Sequence, residues 1–133
     1  MIIGIILILL TVGLSGCNEK SKPLVSDKDK FIGTWTNHTT SSFYEIPVIT
    51  DITFIFFSDG KVNLTIGISS LDNSYSDSTS FDERYEIKDG KLVLTTTNET
   101  LIYNYSFLDN NTKLILTLEG KKDAVVYTKE KKL

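Results

Sequence analysis

The chain has 133 residues, 41% hydrophobic and 23% charged, with 14 basic against 17 acidic side chains and a formal net charge of −3. That balance offers no electrostatic reason to bind nucleic acid. A single cysteine, Cys17, excludes a disulfide framework and a thiolate metal site, so the folded part must be held by its hydrophobic core alone.

Residues 2–14 are apolar apart from Thr11 and two glycines. As a helix, the 16 residues ahead of Cys17 would reach about 24 Å, against about 30 Å of bilayer hydrocarbon. The run therefore suits the apolar core of a signal peptide better than a membrane span. It closes on Leu14-Ser15-Gly16-Cys17, which resembles the lipobox of prokaryotic lipoproteins at all four positions: Leu, a small residue, Gly or Ala, then Cys. In that family the cysteine sulfur carries a diacylglyceryl group and the chain is cut just before it. The resemblance implies a signal peptide at 1–16, lipid attachment at Cys17, and a protein anchored to the cell membrane and facing outside the cytoplasm. Residues 17–30 then read as a lipid-anchored polar tether, with one proline and no apolar period.

From Phe31 onward the period is two, which marks a domain over 31–133. Runs rich in Ile, Val, Thr, Phe and Tyr alternate with short turn clusters, the pattern of an antiparallel sheet. Strands are predicted at 32–39, 48–57, 61–68, 81–88, 91–97, 100–108, 113–119 and 124–129, and no segment shows a 3.6-residue period. Three stretches echo one another: "DGKVNLT" at 59–65, "DGKLVLT" at 89–95 and "NTKLILT" at 111–117. Each pairs a turn with a lysine and a strand start, and Asp-Gly and Asn-Asn suit the positive φ of tight hairpins.

The core candidates share strand faces: Ile52, Phe54 and Phe56; Leu92 and Leu94; Leu101, Tyr103, Tyr105 and Phe107; Leu114, Leu116 and Leu118. Asp82, Arg84, Glu86 and Lys88 alternate in sign along the other face of the fourth strand, as on a solvated sheet surface. An open meander would leave two unpaired edges, whereas closure of the last strand onto the first removes them. The expected fold is all-β, an eight-stranded antiparallel up-and-down meander closing into a small barrel.

The first predicted strand opens "FIGTWTN", and "ITFIFFSDG" follows at 52–60. The Gly33-x-Trp35 opening resembles the signature of lipocalin and wider calycin barrels, in particular the small lipocalin-like domains of prokaryotic lipoproteins. The resemblance spans roughly 31–129. It implies that Trp35 closes the base of the barrel. In lipocalins an arginine from the last strand packs over that tryptophan; here the last strand offers Lys129.

An up-and-down order puts the tight turns at one end and two long connections, near 39–47 and at 69–80, at the other. Loops of that kind usually carry binding function, and in the resembled family that end is the open mouth. Its ligand-binding candidates are Phe43, Tyr44, Ile46, Leu71 and Tyr75, with Glu83, the one carboxylate on an otherwise apolar strand face. Catalytic chemistry is sparse: His38 is the sole histidine and reads as a surface residue, and neither metal-ligand spacing nor a phosphate loop is present. The reading is a non-catalytic, monomeric protein without cofactor that binds a small apolar or amphipathic ligand at the open end. A filled barrel serving as a surface or structural partner of an envelope protein is the alternative.

Asn37, Asn63, Asn98, Asn104 and Asn110 each begin an Asn-x-Ser/Thr sequon. Eight asparagines in a chain this rich in Ser and Thr would give about two by chance, so N-glycosylation is a second candidate feature.

Overall fold

Eight strands form in a computed structural model that describes residues 26–132; the predicted signal peptide and Cys17 lie outside the described residues. They are β1 (Gly33–Phe43), β2 (Ile46–Phe56), β3 (Lys61–Ser70), β4 (Ser76–Lys88), β5 (Lys91–Thr95), β6 (Thr100–Leu108), β7 (Lys113–Leu118) and β8 (Ala124–Lys129). Every neighbouring pair is antiparallel, and the order β1 to β8 closes into a barrel. The expected fold class and topology are therefore those observed.

The lysines of the three echoed stretches, Lys61, Lys91 and Lys113, start β3, β5 and β7. The turns before them use the expected positive φ: Gly60 at 88°, Asp89 and Gly90 at 53° and 71°, Asn110 and Asn111 at 54° and 61°. These turns gather at one end of the barrel, which the core fills. Trp35, Phe54, Phe56, Val62, Tyr85, Leu92, Leu94, Leu114, Leu116 and Tyr127 are all buried there, from every strand but β6. Tyr103, Tyr105 and Phe107 of β6 pack against that cluster.

Closure of β8 on β1 is brief. Only Trp35↔Lys129 and Thr36↔Thr128 pair, and the Asn37 side chain donates to the Val126 carbonyl at 2.9 Å where the ladder ends. At the seam the Lys129 ammonium lies 5.3 Å from the Trp35 ring centroid. Gly33 is required beside it. Its φ of +132° is unfavourable for side-chain-bearing residues, and a Cβ there would stand 2.8 Å from Lys129 Cε.

Two sequence readings are corrected. No helix is predicted at the end of the polar tether, yet Asp27–Phe31 forms a short one, α1, with Ser26 as its N-cap accepting from the Asp29 amide at 3.3 Å. A single turn is too short to display a 3.6-residue period, so the sequence held no signal for it. The long connections at 39–47 and 69–80 are mostly strand: β1 and β2 run to a two-residue turn at Tyr44-Glu45, and β3 and β4 leave only residues 71–75 between them. Thr39–Ser42 and Ser76–Ser80 look like loop by composition. Their backbones nonetheless continue the ladder because β2 and β3, rich in Ile and Val, run beside them.

Helix α1 plugs the filled end. Phe31 is fully buried, its ring 4.9 Å from those of Tyr105 and Phe107 and 5.3 Å from that of Phe56. The Tyr105 hydroxyl donates to Asp27 at 2.6 Å, and Lys30 pairs with Asp27 at 3.0 Å. Phe31→Ala is expected to cost about 3 kcal/mol, the lower end for a buried aromatic because a plug carried on a single helical turn can shift to fill space; urea unfolding measures it.

Burial and the bond to Asp27 push the Tyr105 hydroxyl up to about 12, and burial pushes that of Tyr127 up to about 12. Both exceed the ordinary value of 10.0. Their contribution to stability is therefore complete below pH 10 and is lost as pH rises toward 12. The urea midpoint is expected to fall across that window, in step with tyrosinate absorbance. A flat midpoint would mean that neither hydroxyl is sequestered.

Candidate functional site

The wall of the barrel is uneven. β1 to β4 have 10 to 13 residues, while β5, β7 and β8 have 5 or 6. From His38 to Phe43 on β1 and from Ser76 to Glu83 on β4 the strands have a ladder partner on one side only. The inward faces of the tall strands thus continue past the core with nothing opposite them. Along β1 the row of Trp35 leads to Ser41 and Phe43; along β2 the row of Phe54 leads back through Thr50 and Val48 to Ile46; along β3 the row of Val62 leads to Ile68 and Ser70.

These residues form an apolar trough of about 580 Å³, completed by Tyr75 and Ser74 from the β3–β4 connection. Its volume is that of an ordinary small-molecule site. Phe43 is 66% exposed, Ile46 57% and Tyr75 58%, a concentration of apolar surface beyond scattered single residues.

Both hairpin tips are held in defined shapes. Ser70 is buried and anchors the β3–β4 connection: its amide donates to the Tyr75 carbonyl and its hydroxyl accepts from the Tyr75 amide, each at 3.0 Å. Asp72 accepts from the Ser70 and Ser74 hydroxyls, both at 2.7 Å, and these bonds hold its carboxyl down to about 2. Tyr75 is thereby fixed at the rim. The β1–β2 tip is strained instead, since Tyr44 and Glu45 have φ of 48° and 66°, a region that favours Gly and Asn and costs other residues about 1–2 kcal/mol each. Strain of this kind collects at functional positions.

Of the ligand-binding candidates, the structure brings Phe43, Ile46 and Tyr75 together in the trough. Leu71 borders an adjoining cleft with Ile46 and Pro47. Tyr44 does not line the trough: it projects from the tip, 85% exposed, with its ring edge-on to Phe43 at 4.6 Å. Glu83 is placed elsewhere, in a separate cleft with Phe57, Lys61 and Arg84. Val48, Thr50, Ile68 and Ser70 were missed. Their signal was parity, since Val48 lies on the face of Ile52, Phe54 and Phe56, and Ile68 continues the alternation of Val62, Leu64 and Ile66.

His38 is exposed on the outer face and hydrogen-bonds Asp51 across the β1–β2 pair. Among the described residues there is no group of three or more His, Cys, Asp or Glu side chains able to hold a metal ion, and no helix long and apolar enough to cross a membrane. No protein-family model matches the chain, and no curated protein matches it.

Proposed function

We propose that the protein is a non-catalytic, extracytoplasmic binding protein, anchored to the cell membrane through lipid on Cys17, that takes a small apolar or amphipathic molecule in the trough at the open end of its barrel. The observation that carries this reading is the continuation of the inward apolar rows, through Val48, Ile46, Phe43 and Ile68, beyond the point where the opposite wall stops. The clefts at the filled end are lined largely by charged side chains, Lys61, Asp82, Glu83 and Arg84 in one and Lys129 to Lys132 in another, so an apolar ligand would lie in the trough, against the tall wall with one side toward the short one. The hydroxyls of Ser41 and Thr50 supply polar contacts along an otherwise greasy floor, which suits an amphipathic molecule.

Titration with an apolar fluorescent probe tests it. The probe is expected to saturate at one site per chain, and Phe43→Ala or Tyr75→Ala to weaken it by about 1 kcal/mol or more, roughly fivefold or more in Kd. Both side chains are more than half exposed, so these variants should leave the urea midpoint nearly unchanged. Non-saturable binding that ignores both substitutions overturns the ligand reading. The exposed rim formed by Phe43, Tyr44 and Leu71 then favours a partner protein of the cell envelope, and the same variants should reduce its capture.

A further inference from the structure

We propose that the protein carries N-linked glycans on Asn98, Asn104 and Asn110, in a row along the outer face of the short wall, and none on Asn37 or Asn63. The five sequons are equivalent as sequence but not as structure. Asn63 donates its amide hydrogens to the Ser80 hydroxyl at 2.9 Å and to the Asp82 carboxylate at 2.8 Å, and its oxygen accepts from Thr65, the hydroxyl residue of its own sequon, at 3.0 Å. Asn37 is half-buried and spends its amide on the Val126 carbonyl at the barrel seam. Neither nitrogen is presented for reaction in the folded sheet.

The other three differ in each respect. Asn98, Asn104 and Asn110 are exposed, and among the described residues no hydrogen bond engages their side-chain amides. Asn104 sits between the inward-facing Tyr103 and Tyr105, so it points outward from β6. Asn98 and Asn110 flank the same strand just beyond its two ends. The even spacing of six residues separates successive sites by about 20 Å at about 3.3 Å per residue. That leaves room for three oligosaccharides on one strand. The surface they would overlie includes Leu108, 52% exposed, and Val126, 47% exposed, apolar side chains on the outside of the wall. The trough lies on β1 to β3 and the connection that follows β3, whose two sequons are the engaged ones, and so stays uncovered.

The reaction joins the asparagine Nδ2 to the anomeric carbon of a sugar. One N–H bond breaks and its proton passes to solvent, while the anomeric C–O bond of a lipid-phosphate-linked oligosaccharide breaks, the lipid phosphate leaving with the bonding pair. Thr112 already donates its hydroxyl to the Asp109 carbonyl at 2.6 Å, whereas Thr100 and Ser106 have no such bond among the described residues. Occupancy should therefore be lower at Asn110 than at Asn98 and Asn104.

The inference rests on export, part of the function proposed above, and one preparation separates the two. The full-length protein is purified from membranes of the organism that makes it, and its peptides are mapped by mass spectrometry for sugar and for lipid on Cys17. Glycan on Asn98, Asn104 and Asn110, with Asn37 and Asn63 bare, supports the inference. A lipidated Cys17 with those three sites bare, or with sugar on Asn37 or Asn63, overturns the inference and leaves export standing. A chain with neither lipid nor sugar overturns both. A Ser80→Ala, Asp82→Ala double variant frees the Asn63 amide and is expected to gain one glycan there; if Asn63 stays bare in it, hydrogen bonding in the folded sheet is not what selects the sites.

Discussion

Trp35→Ala is expected to lower the unfolding free energy by about 3–5 kcal/mol, the range for deletion of a large buried aromatic side chain. Three losses combine. The ring is fully buried, so its removal leaves a cavity beneath the plug. Its indole N–H donates to the Phe31 carbonyl at 2.7 Å, and that buried acceptor would be left without a partner, at about 1–3 kcal/mol. Lys129, held below its usual pKa chiefly by burial and placed 5.3 Å from the ring centroid, would lose a cation–π contact worth about 0.5–2 kcal/mol. These overlap and do not add in full. Trp35→Phe keeps most of the area but not the donor, so its cost should be smaller, about 1–2 kcal/mol. Urea unfolding followed by far-ultraviolet dichroism measures both. A Trp35→Ala midpoint equal to that of the unsubstituted chain would mean that Trp35 and α1 do not close the barrel.

Most of the barrel is legible in the amino-acid sequence because its signals are local. The predicted bounds of β6 and β8, 100–108 and 124–129, coincide with those observed, since both segments alternate cleanly between turn clusters. Asp89-Gly90 announces its hairpin through φ values that only a few residues adopt easily. What escapes such a reading is set by neighbours. The sequence "TTSSF" becomes strand because Ile46–Thr50 pairs with it, a long-range cause that composition does not carry. Helix α1 is fixed by one inward ring, Phe31, and one cap, Ser26, too little for a periodicity.

The trough is half visible for the same reason. Phe43, Ile46 and Tyr75 stand out as apolar residues in apparent loops, whereas Val48 and Ile68 look like ordinary strand residues. Only the shortness of β5, β7 and β8 leaves that face uncovered. Tyr44, grouped with them by sequence proximity, ends up outside the trough because a two-residue turn points it out at the tip, and Glu83, chosen as the one carboxylate on an apolar strand face, lies in a separate cleft with Lys61 and Arg84.

Cys17→Ser is expected to move the protein from the detergent phase to the aqueous phase in a phase-partition experiment. Under the proposed anchoring, a diacylglyceryl group on the sulfur inserts two acyl chains. Each buried CH₂ contributes about 0.8 kcal/mol, so one chain binds only marginally while two hold firmly. A serine hydroxyl ionises far less readily than a thiol and does not replace the thiolate as the nucleophile that takes the lipid. The geometry of the described part gives the anchor an orientation. The chain enters through α1 at the filled end, and the ten residues from 17 to 26 reach at most about 36 Å when fully extended. The trough lies at the opposite end of the barrel, so the anchored protein would hold it away from the bilayer surface. Anchoring and binding should then be separable: soluble Cys17→Ser protein is expected to bind the apolar probe with unchanged Kd. A variant that remains in the membrane with its N-terminus uncut would identify residues 1–16 as an ordinary hydrophobic anchor. A variant that is released but no longer binds the probe would place the lipid, rather than the trough, at the centre of the binding site.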